Sequence, residues 1–326
     1  MKPLATLSLD LDDEWSYRKT HGDPGWQDLP TYLDRAVPLA LELLAEQELR
    51  ITFFLVGQDA ARERHREVLG AIPAAGHEVG NHSFHHDPWL HRYARDEVDT
   101  EIARAEEAIG DATGVQPIGF RGPGYSVTAD VLEILWSRGY RYDASTLPTF
   151  LGPLARAYYF LRADLPADER RKRGALFGSV RDGFRPLRPY RLATGEGQLL
   201  EIPVTTFPGL RTPFHLSYVL WLSRMNAAAA RSYFRNALRA CRLAGVEPSV
   251  LVHPLDLLGG DDVDTLSFFP GMDLSGALKR ARVASYLSDL KARFRVEPLG
   301  EYTAMLDARQ GLRVRPASWL ERGSEA

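Results

Sequence analysis

Short apolar segments alternate with longer amphipathic segments along most of the 326 residues. The runs ATLSLDL at 5–11 and ITFFLVG at 51–57 have the length and the β-branched and aromatic content of buried strands. By contrast, TYLDRAVPLALELLAEQ at 31–47 has the apolar spacing of a helix. An alternation of strands and helices predicts a parallel sheet with helices outside it, either open or closed into a barrel.

The alternation continues almost to the carboxyl end of the chain. The further predicted strands are HEVGNH, PIGFRGP, YRYDAS, LLEIPVT and SVLVHP, and the further predicted helices span 94–110, 128–138, about 227–243 and about 273–292. The segment at about 150–195 departs from this pattern because it is rich in arginine and aromatic residues. It is predicted to be an insertion, so we expect one domain over residues 1–326.

Composition places the chain among ordinary globular enzymes, with 44% hydrophobic and 25% charged residues. No apolar run approaches the roughly 18 residues of a membrane span. A single cysteine, Cys241, rules out an intramolecular disulfide and indicates a reducing compartment. The first strand begins so early that, if Asp10 is functional, a secretory signal of roughly 15–30 residues has no room. We therefore expect a cytoplasmic protein.

The net charge of −3 conceals an uneven distribution of charge along the chain. Residues 150–242 contain 16 Lys and Arg against 6 Asp and Glu. A basic middle suggests a surface for phosphates or anionic lipid headgroups, such as peripheral contact with the inner membrane face. A solvated basic face is the alternative interpretation. We expect no nucleic-acid partner, and the oligomeric state stays open.

Polar clusters occur at the carboxyl ends of the predicted strands. In a parallel barrel these ends open on one face, where active sites are built. We therefore expect the clusters to converge in space. The clusters are Asp10 with Asp12 and Asp13, His82 with His85 and His86, Arg121, Asp143, Pro203 with Thr205, and His253.

The histidines of NHSFHH suggest a metal centre. In a helical turn, His82 and His86 would point the same way, with their Cβ atoms about 5–6 Å apart. Two imidazoles and one carboxylate suit a Zn²⁺-type catalytic ion that keeps a position open for water. His85 is an alternative partner for His82, and an isolated HxxxH is often structural.

The first strand offers the carboxylate. Asp10 and Asp12 are two residues apart, so in a strand their side chains share a face. Clustered carboxylates after an apolar strand are expensive to bury unless they are paired or bind a metal. A solvated loop with capping aspartates is the alternative.

Three further segments complete the predicted site. His253 follows an apolar strand, where it could act as a general acid. In FRGPGYS, the backbone N–H groups near Gly124 or Tyr125 could face a developing oxyanion. Asp143 could pair with Arg121, orient His253 or form a surface salt bridge.

Taken in order, these motifs resemble the polysaccharide deacetylase family, the NodB homology domain of carbohydrate esterase family 4. The Asp pair, NHSFHH, FRGPGYS, YDAST and LVH correspond to its five motifs, over roughly residues 4–148 and 199–258. The first motif departs from the common TFDDG and looks like an Asp-x-Asp branch, which includes some peptidoglycan deacetylases and the lipid-linked aminoarabinose deformylase. The resemblance implies a distorted (β/α)7-type barrel with the insertion between the fourth and fifth motifs.

The resemblance also implies one divalent ion, usually Zn²⁺, with Co²⁺, Ni²⁺ or Mn²⁺ as alternatives. The implied roles are Asp10 as base, Asp12, His82 and His86 as metal ligands, Arg121 as tether of the base, and His253 as general acid. In a rival assignment, Asp12 is the base and Asp13 the ligand.

The expected activity is hydrolysis of an amide, by N-deacetylation or N-deformylation of an N-acylated sugar that is lipid-linked, nucleotide-linked or soluble. Aromatic and arginine residues mix in 151–165, 167–191 and 214–225. They would suit a membrane-surface patch beside a lipid phosphate, or a lid and dimer contact. The alternatives are a non-sugar amidohydrolase of the allantoinase or imidase type and a catalytically silent binding protein.

Overall fold

The computed structural model describes residues 2–152, 179–309 and 311–320. Strands of this part of the chain form one sheet. They are β1 Leu4–Leu11, β2 Thr52–Leu55, β3 Glu78–Asn81, β4 Gly119–Phe120, β5 Tyr142–Asp143, β6 Tyr190–Ala193, β7 Gln198–Glu201, β8 Ser249–Val252, β9 Arg295–Glu297 and β10 Val314–Pro316. The order across the sheet is β10-β6-β7-β5-β4-β3-β2-β1-β8, and β9 pairs with β1.

Helices of the described part alternate with these strands. They are α1 Glu14–His21, α2 Leu33–Glu46, α3 Gly57–Ala60, α4 Arg66–Ala74, α5 Arg95–Thr113, α6 Ala129–Ser137, α7 Leu216–Ser223, α8 Ala227–Leu243, α9 Gly276–Arg293 and α10 Leu299–Asp307. Helix α5 ends at Thr113, three residues beyond the predicted end at residue 110, and Gly114 follows it in the left-handed conformation of a C-cap. None of these helices is long and apolar enough to cross a membrane.

Strand β1 pairs with three other strands, more than any other strand of the described residues. It pairs in parallel with β2, β8 and β9, and all eight of its residues are buried. A strand covered on both faces reads as a nearly continuous apolar run, which is the pattern of ATLSLDL. The same burial places Asp10, opposite Phe54 in the register with β2, inside the protein.

The predicted α/β fold with a parallel sheet is confirmed. The sheet does not close into a continuous barrel, because β7 and β8 are not paired in the described residues. The extended chain after β7 bridges this gap. The Thr205 N–H donates to the Ser249 carbonyl at 2.9 Å, and the Ser249 N–H donates to Thr205 Oγ1 at 2.8 Å. The strand ends therefore surround one mouth.

The predicted insertion at about 150–195 contains a strand of the sheet. Residues 153–178 lie outside the described residues, but β6 at Tyr190–Ala193 is part of the sheet and runs antiparallel to β7. Tyr190 and Leu192 are its buried positions. Four residues of alternation beside many arginines carry too weak a signal for a strand to be predicted.

Glycine permits one close approach that supports the site. Gly57 begins α3, and a Cβ there would lie 2.6 Å from the Ala105 Cα of α5 and 2.8 Å from the Phe84 ring. The Gly57 N–H also donates to the Ser83 carbonyl at 2.9 Å. The backbone of α3 thus packs directly against the loop that follows β3.

We expect Gly57→Ala to lower the free energy of unfolding by about 1–3 kcal/mol, because backbone atoms must move apart. Gly70→Ala in α4 is the matched control, since its nearest atom is 3.6 Å away. That change should be neutral or stabilising by up to about 1 kcal/mol. Urea unfolding measures both, and equal effects would contradict the close packing at Gly57.

Candidate active site

Three side chains from two strand ends meet at the mouth. Asp12 follows β1, and His82 and His86 follow β3. Asp12 Oδ1 lies 3.4 Å from His82 Nε2 and 3.0 Å from His86 Nε2. Their candidate ligand atoms all lie within 4.8 Å of one another, and all three residues are buried. In the part of the chain that the structure describes, this is the one such group able to hold a metal ion.

The loop that carries the histidines is not the predicted helical turn. Ser83 and His86 have φ angles of 62° and 51°, which lie in the left-handed region. Such a conformation costs about 1–3 kcal/mol in a residue other than glycine, and it persists only where surrounding contacts impose it. Here Asn81 Oδ1 accepts from the Ser83 N–H at 2.8 Å. The convergence of His82 and His86 is as predicted, with ring centroids 4.9 Å apart, but a strained loop produces it.

Hydrogen bonds orient the group toward a cation. His82 Nδ1 donates to the Arg121 carbonyl at 2.5 Å, which directs Nε2 at Asp12. Burial opposes ionisation of Asp12, but His86 and His82 outweigh it and hold the pKa of this carboxyl well below its usual range. Beyond the two imidazoles, Asp12 Oδ1 has no hydrogen-bond partner among the described residues, and His86 Nδ1 has none.

These residues fit a divalent metal ion. An ionised carboxylate and two imidazole nitrogens are the donor set that Zn²⁺ and similar transition ions prefer. A buried carboxylate oxygen whose partners are imidazoles alone would gain a strong partner from such an ion.

The proposed base lies beside this group. Asp10 Oδ1 accepts from Arg121 Nη1 at 2.6 Å, and Asp10 Oδ2 is 4.0 Å from His82 Nε2. Arg121 is fully buried and also donates to Ser8 Oγ at 2.7 Å and to the Ala144 carbonyl at 2.9 Å. The tether between Arg121 and Asp10, which the family resemblance implied, is therefore present in the structure.

The alternative ligands lie elsewhere. Asp13 caps α1, where its Oδ1 accepts from the N–H groups of Glu14 at 2.8 Å and Tyr32 at 3.0 Å. His85 forms an ion pair with Glu101 of α5. The structure thus separates Asp13 and His85 from the metal-ligand group, which disfavours the rival assignment.

His253 follows β8 and is held by an unpredicted pair. Its Nδ1 lies 2.9 Å from the Oγ of Ser217 on α7, and Ser217 donates to Asp256 Oδ2 at 2.9 Å. Asp256 also accepts from the His253 N–H at 2.8 Å. The segment LVHPLD indicated Asp256 as a possible partner, because it places a carboxylate three residues after His253. No local pattern pointed to Ser217, which lies on a distant helix.

Asp143 has hydrogen-bond partners other than the predicted Arg121 and His253. The charge of Arg121 acts on this carboxyl and opposes the rise of its pKa, but His253 Nδ1 is held by Ser217. Asp143 Oδ1 accepts from Ser145 Oγ at 2.5 Å, and Asp143 is buried against Glu201, its partner in the register between β5 and β7. Burial raises the pKa of both carboxyl groups. Asp143 therefore belongs to a buried acid pair behind the site.

Of the two predicted oxyanion donors in the turn after β4, the structure assigns another partner to Tyr125. The Tyr125 N–H donates to the Gly122 carbonyl at 3.0 Å and closes the turn, so Gly124 stays the predicted donor. Gly124 and Tyr125 both have left-handed φ angles, 59° and 63°. The phenol of Tyr125 approaches the site, where burial and the charge of Asp10 raise its pKa.

A second tyrosine was also missed. The hydroxyl of Tyr17 on α1 is buried and interacts with the Asp12 carboxyl. Burial and the charges of Asp12, Asp256 and Asp10 raise the pKa of Tyr17 well above its usual value. Nothing in the sequence distinguished this tyrosine, because only the fold brings α1 against both strand ends.

Comparisons with known proteins agree with this geometry. The family model described as polysaccharide deacetylase matches residues 23–142, which include His82, His86 and Arg121 but not Asp10 or His253. A peptidoglycan deacetylase of Helicobacter pylori is 30% identical over 133 residues, covering 39% of this chain and 44% of the relative. A peptidoglycan-N-acetylglucosamine deacetylase of Bacillus cereus is 33% identical over 86 residues, covering 26% and 30%.

The chain spans less than half the length of these curated relatives. A solved structure described as a polysaccharide deacetylase from Mycobacterium smegmatis aligns over 96% of this chain and 97% of its own, with a TM-score of 0.60 and 20% identity. That similarity concerns the fold, and it supports the distorted (β/α)7-type arrangement.

Removing one ligand tests the metal group. We expect His86→Ala to weaken Zn²⁺ binding more than about 100-fold, since even loss of an outer partner of a ligand weakens it by 10–100-fold. His85→Gln is the matched control, because His85 pairs with Glu101 outside the group. Equilibrium dialysis with metal analysis measures both. Equal loss of Zn²⁺ in the two variants would show that the ligand assignment is wrong.

Proposed function

We propose that this chain, which matches the polysaccharide deacetylase family over residues 23–142, hydrolyses the N-acyl amide of an amino sugar and releases acetate. One observation carries the proposal. A buried carboxylate, Asp10, is held by Arg121 directly beside the group of Asp12, His82 and His86 that could bind a metal ion.

The residues at the mouth have separate roles in the proposed reaction. A divalent ion held by Asp12, His82 and His86 would polarise the amide carbonyl and make water acidic enough to attack at neutral pH. Asp10, oriented by Arg121, accepts a proton from the attacking water.

At the end of β8, which pairs with β1, His253 donates a proton to the departing amine. Without this proton the nitrogen would have to leave as a strongly basic anion. The proton must therefore arrive as the carbon–nitrogen bond breaks. Helix α7 and the turn after β8 hold the imidazole in place through Ser217 and Asp256.

The relatives indicate the class of sugar. Both curated relatives are named as deacetylases of peptidoglycan, one of them of its N-acetylglucosamine. The proposed substrate is therefore an N-acetylated amino sugar of the peptidoglycan type.

The finer proposal is a lipid-linked form of that sugar, reached from the cytoplasmic face of a membrane. Phe184 and Leu210 are 73% and 62% exposed on loops at the carboxyl end of β7. The two loops touch, since Arg211 Nη1 donates to the Arg185 carbonyl at 2.9 Å. Exposed apolar side chains among arginines at the mouth suit an anionic membrane surface. We name Phe184 and Leu210 the apolar rim.

Chelation and substitution test the chemistry. We expect a chelator to abolish acetate release from N-acetylglucosamine oligomers, and Zn²⁺ to restore it. His253→Ala should lower kcat about 10²–10⁴-fold, the usual contribution of a general acid, with metal content unchanged. Turnover by metal-free protein would exclude this mechanism.

The same assay separates the alternatives. Ring opening of a ureide or imide without acetate release would favour the allantoinase-like function. Metal binding with no turnover of either substrate class would favour a silent binding protein.

Flotation with vesicles tests the membrane proposal. We expect the protein to bind vesicles of phosphatidylglycerol and phosphatidylcholine at low salt, and Phe184→Ser with Leu210→Ser to weaken binding at least tenfold, since these side chains supply buried apolar area. Leu243→Ser is the matched control, because Leu243 is 89% exposed at the end of α8, on the opposite face. No binding by the unsubstituted protein would exclude the membrane proposal and leave the deacetylase proposal intact.

A further inference from the structure

A buried carboxylate is linked to His253 through a hydroxyl. Asp256 Oδ2 lies 4.0 Å from His253 Nδ1, and the Oγ of Ser217 stands 2.9 Å from each of them. Resting on the proposed deacylation, we propose that Ser217 and Asp256 are positioning residues that set the tautomer and the proton affinity of His253. They replace Asp143, the residue that the sequence motifs offered for this task.

The direction of the two hydrogen bonds follows from chemistry. An ionised carboxylate only accepts, so the Ser217 O–H points at Asp256. The Ser217 oxygen then accepts from His253 Nδ1–H. This arrangement keeps the proton on Nδ1 and leaves Nε2 as the nitrogen that exchanges a proton with the substrate.

Asp256 is fixed beside His253 by burial and by hydrogen bonds. It is 3% exposed and accepts from the backbone N–H of His253 at 2.8 Å as well as from Ser217. Lys279 of α9, also buried, donates to the carbonyls of Leu255 at 2.7 Å and Leu258 at 2.9 Å, on both sides of Asp256. The ammonium group thereby clamps the turn that carries the carboxylate.

The surroundings make Asp256 the dominant charge near the imidazole. Among the described residues, it is the carboxylate that lies within 4.0 Å of a ring nitrogen of His253. The ring of His215 meets that of His253 edge to face at a centroid distance of 6.3 Å, but burial and the charge of His253 lower the pKa of His215 to about 3, so it stays neutral. Lys279 opposes Asp256 from behind, and the phenols of Tyr17 and Tyr125 face the same carboxylate.

The sign of the effect is fixed by the negative charge. Removing a negative charge beside an imidazole disfavours the protonated form of the ring. The acid form of His253 is needed for turnover, so activity is lost on the alkaline side of the pH profile. Asp256→Asn should move this alkaline limb to lower pH by roughly one unit or more.

Four variants test the link. Ser217→Ala should move the alkaline limb in the same direction as Asp256→Asn and lower kcat, because the hydroxyl that passes the interaction on is lost. Ser217→Thr keeps a hydroxyl and should restore both. Ser223→Ala on the same helix is the control, since its hydroxyl donates to the Leu220 carbonyl and lies in another set of contacts. It should leave the pH profile unchanged.

The pKa of His253 is also measured directly, by NMR titration of the imidazole resonances in Zn²⁺-loaded protein, with His253→Gln to assign them. A lower pKa in Asp256→Asn and Ser217→Ala than in the unsubstituted protein is the expected result. An unchanged pKa in both would overturn the proposal, even if the protein releases acetate. A shifted pKa in a protein that releases no acetate would support the link while excluding the proposed function.

Discussion

The buried ion pair between Arg121 and Asp10 is the constraint on which the rest of the site depends. The guanidinium contacts Ser8 and Asp10 of β1 and the Ala144 carbonyl after β5, and it lies over the Phe54 ring of β2 at 4.4 Å. Removing either partner of such a pair costs about 3–5 kcal/mol, because the other charge stays buried. Arg121 therefore connects the carboxyl ends of β1, β4 and β5 around the mouth.

The backbone of Arg121 extends this constraint to the metal-ligand group. Its carbonyl accepts from His82 Nδ1, so the residue that orients the proposed base also orients a proposed ligand. Asp10 and Asp12 then differ in role because they differ in partners. Asp10 is paired with the permanently charged guanidinium of Arg121, whereas the ion-pair partners of Asp12 are the imidazoles of His82 and His86. A carboxylate beside two imidazoles matches the donor set of a divalent metal ion.

Two further carboxyl pairs lie behind the site and have a supporting function. Asp143 with Glu201 and Asp13 with Asp59 are buried, and burial raises the pKa within each pair. Asp143 accepts from Ser145, whose oxygen in turn accepts from the backbone N–H that opens the turn after β4. Asp143 and Asp13 therefore stabilise the loops around the site, whereas Asp10 and Asp12 face the mouth.

The sequence by itself determined the alternation of strands and helices, the strand-end positions of Asp10, Asp12, His82, His86 and His253, and their family motif order. These features follow from local periodicity and from the rule that parallel strands share one functional edge. Tertiary structure alone decided which neighbours meet. The histidines converge through a strained loop held by the Asn81 side chain and by packing against α3, and His253 takes its partners from α7 and its own turn rather than from Asp143. Sequence spacing does not identify which side chains of distant elements touch, because such contacts depend on how the sheet twists and where each helix returns.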